Sequence, residues 1–193
     1  VEGQPIDLYC DEHRLDIAGR LRLFAQVCAG VAFAHRHLVL HRDLKPANIL
    51  VTAEGLVKIV DFGTATLLQP ERLMTVSPAP LTPAYASPEQ LTGQAVDTAS
   101  DQYSLGLVLY ELLTGVAPFA TRASLMAAVE RALAGVEPTA PHMAVIEGAP
   151  GPRRTSLARL RRQLKGDLGT IVRKALVAHT AERYASVQHL ADD

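Results

Sequence analysis

The stretch His41-Arg42-Asp43-Leu44-Lys45-Pro46-Ala47-Asn48, followed by Asp61-Phe62-Gly63, decides how this chain is read. Two β-rich runs lie between these polar motifs, Ile49 to Thr52 and Leu56 to Val60. Ala53-Glu54-Gly55 separates them, which is a hairpin signal. Asp61 therefore follows Asn48 by 13 positions but is folded back toward it. Upstream, Leu21, Phe24, Cys28 and Val31 fall three and four apart between Ile17 and about His37. That spacing predicts an amphipathic helix with Asp16 as its N-cap. Pro5 to Arg14 reads as a shorter helix and Leu38 to His41 as a short strand.

Beyond the second motif the pattern changes. Thr64 to Pro88 holds five prolines and little periodicity, and reads as one long functional loop. Ala99 to Leu113 is apolar on nearly every side, the mark of a buried central helix, and Thr114-Gly115 stops it. Ser124 to Ala134 predicts another helix. Val136 to Pro152 reads as a Pro- and Gly-rich loop, and Arg153 to Arg162 as a basic run on a solvated helix face. Two last helices are expected, Leu168 to Ala178 and Ser186 to the end. The fold class is α+β and mostly α: a helical bundle around a buried central helix, with one small hairpin.

The chain has 193 residues, 48% of them apolar, which fits one domain with a large core. A net charge of −1 argues against a nucleic-acid partner. Cys10 and Cys28 show no CxxC or Cys/His spacing, so they read as buried thiols in a reducing cytosol rather than a disulfide or zinc site. Tyr103 to Leu113 is too short to span a bilayer, which takes about 20 residues. No membrane contact is expected of this segment, and a cytoplasmic location follows. An anchor elsewhere in a longer parent remains compatible with that.

The motifs resemble those of the protein kinases, H-R-D-x-K-x-x-N for the catalytic loop and D-F-G for the metal-binding turn. Either alone is weak; both, flanking a hairpin, are specific. The resemblance implies ATP and Mg2+ as cofactors. Asp43 then stands as the carboxylate that orients the acceptor hydroxyl and takes its proton, and Lys45 as the cation on the transferring phosphate. Asn48 and Asp61 offer the hard oxygen ligands that Mg2+ prefers. Val1 resembles the end of the hinge, and Leu50 the residue under the adenine ring, although Leu50 fits hairpin core equally. A lysine two residues after the catalytic aspartate is similar to the Ser/Thr branch, so the implied partner is a protein with a Ser or Thr acceptor.

The likeness extends over nearly the whole chain. Thr82-Pro83-Ala84-Tyr85-Ala86-Ser87-Pro88-Glu89 resembles the close of an activation segment spanning 61–89, with Ser87-Pro88-Glu89 at the usual A-P-E and Leu81 at a usual Gly. Ser100-Asp101-Gln102-Tyr103 resembles the start of the family's central helix. There Asp101 is expected to be buried, accepting from backbone N–H groups near His41 and Arg42. Arg183 matches the arginine that pairs with Glu89. Arg42 is expected to grip a phosphate on the activation segment, with Thr64, Thr66, Thr75 and Ser77 as candidates and Thr75 and Ser77 first. His41 and Phe62 are expected to stack in a buried column. The other histidines, among them His35, show no ligand spacing.

The style is similar to bacterial kinases of the eukaryotic type. No G-x-G-x-x-G occurs, nor a strand lysine upstream of the long helix. The reading is therefore a partial kinase domain over 1–193, the end of the hinge and the C-terminal lobe, without the N-terminal lobe. A dimer that phosphorylates its own activation loops is compatible with this. The alternatives are an inactive solitary lobe acting as a scaffold and, from another class, a small-molecule phosphotransferase.

Overall fold

The computed structural model describes residues 2–62, 66–67, 82–119, 124–146 and 151–193, with 66–67 as backbone only. Nine helices and five short strands are found among them. The chain enters through β1 (Gln4–Pro5) and α1 (Ile6–Glu12), then α2 (Ile17–Arg36) and β2 (Val39–Leu40). A 3-10 turn, Pro46–Asn48, leads into the hairpin β3 (Ile49–Val51) and β4 (Val57–Ile59). After β5 (Thr66–Leu67) come α3 (Pro88–Thr92), α4 (Thr98–Thr114), α5 (Leu125–Leu133), α6 (Pro141–Ala144), α7 (Leu157–Lys165), α8 (Asp167–Ala175) and α9 (Val187–Asp192).

The predicted hairpin forms, with Ile49 opposite Ile59 and Val51 opposite Val57. Ile49 and Val51 turn into the core, which leaves Leu50 half-buried on the other face. β1 adds a third antiparallel strand, pairing Pro5 with Leu50. Asp16 caps α2 as expected, its carboxylate accepting the Gly19 N–H at 2.8 Å. Among the described residues, α2 and not α4 is long and apolar enough, by length and composition alone, to cross a bilayer. It is the flank of the protein core, with its Val27 and Cys28 face buried against neighbouring elements.

α4 is the axis of the molecule. Every residue from Ala99 to Tyr110 is buried, and α1, α2, α6, α8 and α9 pack around it. Gly106 permits the close approach of α8: a Cβ there would lie 2.9 Å from the Ala175 Cβ. Gly115, at φ +76°, closes the helix in the left-handed conformation. Burial pushes the Cys10 and Cys28 thiols up to about 11 and about 12, and both are free.

Three readings of the sequence need correction. The stretch from Thr64 to Pro88 is not one uninterrupted loop, because Thr66–Leu67 pairs with β2 and Pro88 opens α3. The loop after Val136 contains α6, started by Pro141. In the basic run, Arg153 is not on a solvated face. It is 2% exposed and donates to the carbonyls of Leu113 (2.8 Å) and Leu112 (3.0 Å). Arg20 joins it there, donating to Leu112 O at 3.2 Å. The last carbonyls of α4 have no intrahelical partners, and these guanidiniums satisfy them at the negative end of the helix dipole.

Candidate active site

The site is built on Asp101, in the first turn of α4. Its carboxylate is 1% exposed and fully engaged. Oδ2 accepts from the His41 N–H at 2.9 Å and lies 2.7 Å from His35 Nε2, while Oδ1 accepts from the Arg42 N–H at 2.8 Å. A buried carboxylate without such donors would be costly. With them it fixes the backbone just ahead of Asp43. Arg42 sits at φ +71°, a left-handed conformation that costs a residue with a Cβ. The bonds on either side of it, from its N–H to Asp101 and to its carbonyl from Gln90 Nε2 (2.7 Å), hold it there.

Asp43 follows directly and is largely buried. Its Oδ2 accepts from Lys45 Nζ at 2.7 Å and from Asn48 Nδ2 at 3.2 Å. Asn48 Nδ2 also donates to the Asp43 backbone carbonyl at 2.8 Å. With the amide nitrogen committed, the group Asn48 can offer a cation is its oxygen. Lys45 Nζ reaches further, to Thr82 Oγ1 at 2.7 Å. One ammonium thus bridges Asp43 and the segment that closes at Glu89.

His41 joins the second motif to the first. Its Nε2 donates to the Val60 carbonyl (3.0 Å), which leaves Nδ1 to accept the Asp43 N–H (3.4 Å). The Val60 N–H in turn donates to Asn48 O at 2.9 Å. Asp61 is therefore held between Val60, bonded to the loop on both sides, and Phe62, whose ring lies 4.6 Å from that of His41. Asp61 itself is exposed and left-handed, at φ +64°. Phe62 is not the buried column member expected: its ring meets that of His41 at a tilt of 56° rather than stacking on it, and it remains 39% exposed. Val1, Gly63, Thr64, Thr75, Ser77 and Leu81 lie outside the described residues, as does the side chain of Thr66.

The far end of the segment is anchored separately. Glu89 and Arg183, 94 positions apart, form a buried bidentate pair at 2.8 and 2.9 Å. Ser100 Oγ donates to Glu89 as well, at 2.7 Å. Burial alone would raise the Glu89 carboxyl, but the hydrogen bonds and charge of Arg183 outweigh it and hold it below the usual carboxylate range. Arg183 spends its remaining donors on the carbonyls of Val177, Ala99 and Ala178. Tyr85 donates to Glu111 Oε2 at 2.5 Å, and its carbonyl accepts from Ser104 Oγ. Burial, with the Asp7 and Asp11 charges, raises Glu111 against the lowering effect of that bond.

The protein kinase domain family matches residues 6–191. This chain belongs to the protein kinase family. Among its relatives, the serine/threonine-protein kinase PknB of Mycobacterium leprae is 33% identical over 174 residues, 90% of this chain and 25% of that protein. PknB of Mycobacterium tuberculosis is 34% identical over 176 residues, with the same two coverages. A probable serine/threonine-protein kinase of Clostridium perfringens is 30% identical over 194 residues, all of this chain and 26% of the relative. The chain thus spans about a quarter of the length of the curated relatives it matches. The motifs single out the loop from His41 to Asn48, but three long-range or capping contacts around it are not read from them. His35 stood in no metal-ligand spacing, and nothing local links it to a residue 66 positions on. The Tyr85–Glu111 bond spans 26 positions and has no local signal either. Gln90 did carry a signal, since Ser87-Pro88-Glu89-Gln90 is the S-x-x-Q pattern of a capping box.

Proposed function

We propose that this chain is the C-terminal lobe of a serine/threonine protein kinase, which transfers the terminal phosphoryl group of ATP to a protein hydroxyl. The observation that carries the proposal is the hydrogen-bonded group of Asp43, Lys45, Asn48 and Thr82, seated on Asp101. Phosphoryl transfer asks little covalent chemistry of a protein; it asks for position and neutralised charge. Asp43 would accept the proton of the acceptor hydroxyl, and Lys45 would stand against the transferred phosphate. Asn48 and Asp61 would hold Mg2+. Among the described residues no group of three or more His, Cys, Asp or Glu could hold a metal alone. That suits an ion shared with nucleotide phosphates, as Mg2+ commonly is. Bound there, the ion would offset the charge of the phosphates.

The Ser/Thr assignment rests on Lys45, its bridge to Thr82, and the names of the relatives. The lobe assignment rests on content: catalytic loop, metal turn and activation segment are present, and no G-x-G-x-x-G occurs in the 193 residues. Leu50, facing away from the core, suits the floor of a nucleotide site, with Val1 at its hinge edge. Arg42 is proposed to receive a phosphate carried on Thr75 or Ser77. A cytoplasmic location, a protein substrate and no nucleic-acid partner complete the reading. The test is phosphoamino-acid analysis of a basic acceptor protein after incubation of the full-length protein with labelled ATP and Mg2+. Label on serine or threonine that disappears with Asp43→Asn is expected. Label that persists in that variant would contradict the role of Asp43, and no label in the wild type would favour the scaffold reading.

A further inference from the structure

The carbonyl of Arg42 accepts a hydrogen bond from a side chain to which the sequence motifs assign no role. Gln90 lies in α3, beyond the Ser87-Pro88-Glu89 triplet, and its amide is used at both ends. Its Oε1 accepts from the Ser87 N–H at 3.0 Å and the Ser87 hydroxyl at 3.1 Å, forming one half of the capping box. Its Nε2 donates to Arg42 O at 2.7 Å, across 48 positions of sequence. Capping needs only the oxygen. The nitrogen is left for a different task.

We propose that Gln90 is a positioning residue for Asp43, tying the end of the activation segment to the peptide unit that carries the Asp43 nitrogen. Arg42 adopts φ +71°, which a residue with a Cβ takes up only when its surroundings impose it. Asp101 fixes the peptide unit before Arg42 by accepting its N–H. Gln90 fixes the unit after it by donating to its carbonyl. The N–H of that second unit belongs to Asp43 and makes only a long bond, 3.4 Å, to His41 Nδ1. Without Gln90, the second unit can rotate and swing the Asp43 carboxylate with it. Small displacements of a catalytic group cost rate steeply. Because α3 also carries Glu89, held by Arg183, the Gln90 bond makes Asp43 sensitive to whether the end of the activation segment is docked.

The inference rests on the kinase reading for its activity test, and a second measurement separates the two. Gln90→Glu keeps an oxygen for Ser87, as in an S-x-x-E capping box, but removes the donor to Arg42. Gln90→Ala removes both. In the full-length protein both variants are expected to lower kcat by about ten-fold, the size expected for losing one hydrogen bond that orients a reacting group, with the KM for ATP unchanged. Only Gln90→Ala should lower the melting temperature. In the same variants, amide hydrogen exchange read at Arg42 and Asp43 should accelerate, while amides of α3 stay protected in Gln90→Glu. Wild-type kcat and wild-type exchange in Gln90→Glu would overturn the proposal and leave Gln90 as a helix cap. A wild-type protein without Asp43-dependent transfer would instead sink the kinase reading, and the exchange measurement alone would then decide the role of Gln90.

Discussion

Asp101 and Glu89 are carboxylates buried near the same end of α4, yet they are satisfied by different partners. Asp101 takes two backbone N–H groups and the His35 ring, whereas Glu89 takes a complete guanidinium fork. Removing Asp101 releases two amides of the catalytic loop. Removing one member of the Glu89–Arg183 pair strands the other charge inside the protein. The first arrangement holds a geometry, and the second holds the segment to the C-terminal helices. Their loss should therefore be felt in different measurements, Asp101 more in rate and Glu89 more in stability.

The largest stability effect is expected from Arg183→Ala, which leaves Glu89 buried and unpaired at a cost of about 3–5 kcal/mol. Urea denaturation of the chain would show it, and a loss within the range of surface substitutions would erase the contrast. Asp101→Ala should cost less, about 1–3 kcal/mol for the amides left unsatisfied. In the full-length protein its activity should fall further than the unfolded fraction explains. Equal losses of folded protein and of rate would make Asp101 merely structural.

The two carboxylates should also separate by pH. Glu89 is held below its unfolded value, so its pairing contributes stability that is fully present above the ordinary carboxylate pKa and is lost as pH falls through the depressed one. In Arg183→Ala, burial dominates at Glu89, and protonation relieves the stranded charge. The stability gap between wild type and Arg183→Ala should then narrow as pH is lowered through the carboxylate range. Denaturation midpoints at a series of pH values test this, and a gap independent of pH would contradict the charge argument.

What was legible in the sequence follows from how local each signal is. The periodicity of α2, the all-round apolar run of α4 and the hairpin around Ala53-Glu54-Gly55 are carried by neighbouring residues, and those elements form where expected. β1 and β5 are two residues long, and their pairing is settled by strands far away in sequence, so no period announces them. The loop motifs single out Asp43, Lys45 and Asn48 as candidates, but nothing in them says that His35 lies against Asp101. The basic run shows the limit most plainly, because composition cannot tell Arg153, packed on the end of α4, from Arg159 on an exposed helix face. Arg153→Ala should cost about 1–3 kcal/mol by leaving carbonyls without donors. Arg159→Ala, the smallest effect expected, should stay within about 0.5 kcal/mol. Thermal unfolding of the two variants side by side checks this, and similar losses would return Arg153 to the solvated face.

The central claim is that these residues form one half of a phosphotransfer site, complete in its catalytic loop and dependent on a second lobe. The most direct measurement is transfer from labelled ATP to a basic acceptor protein, run in parallel on residues 1–193 and on the full-length protein, each against its Asp43→Asn variant. Positioning can supply about 7–11 kcal/mol of a barrier, and Asp43, Asn48 and Asp61 by themselves cannot fix a triphosphate in line with a hydroxyl. The account predicts Asp43-dependent transfer by the full-length protein and none at a useful rate by residues 1–193. Robust, Asp43-dependent transfer by residues 1–193 alone would contradict it.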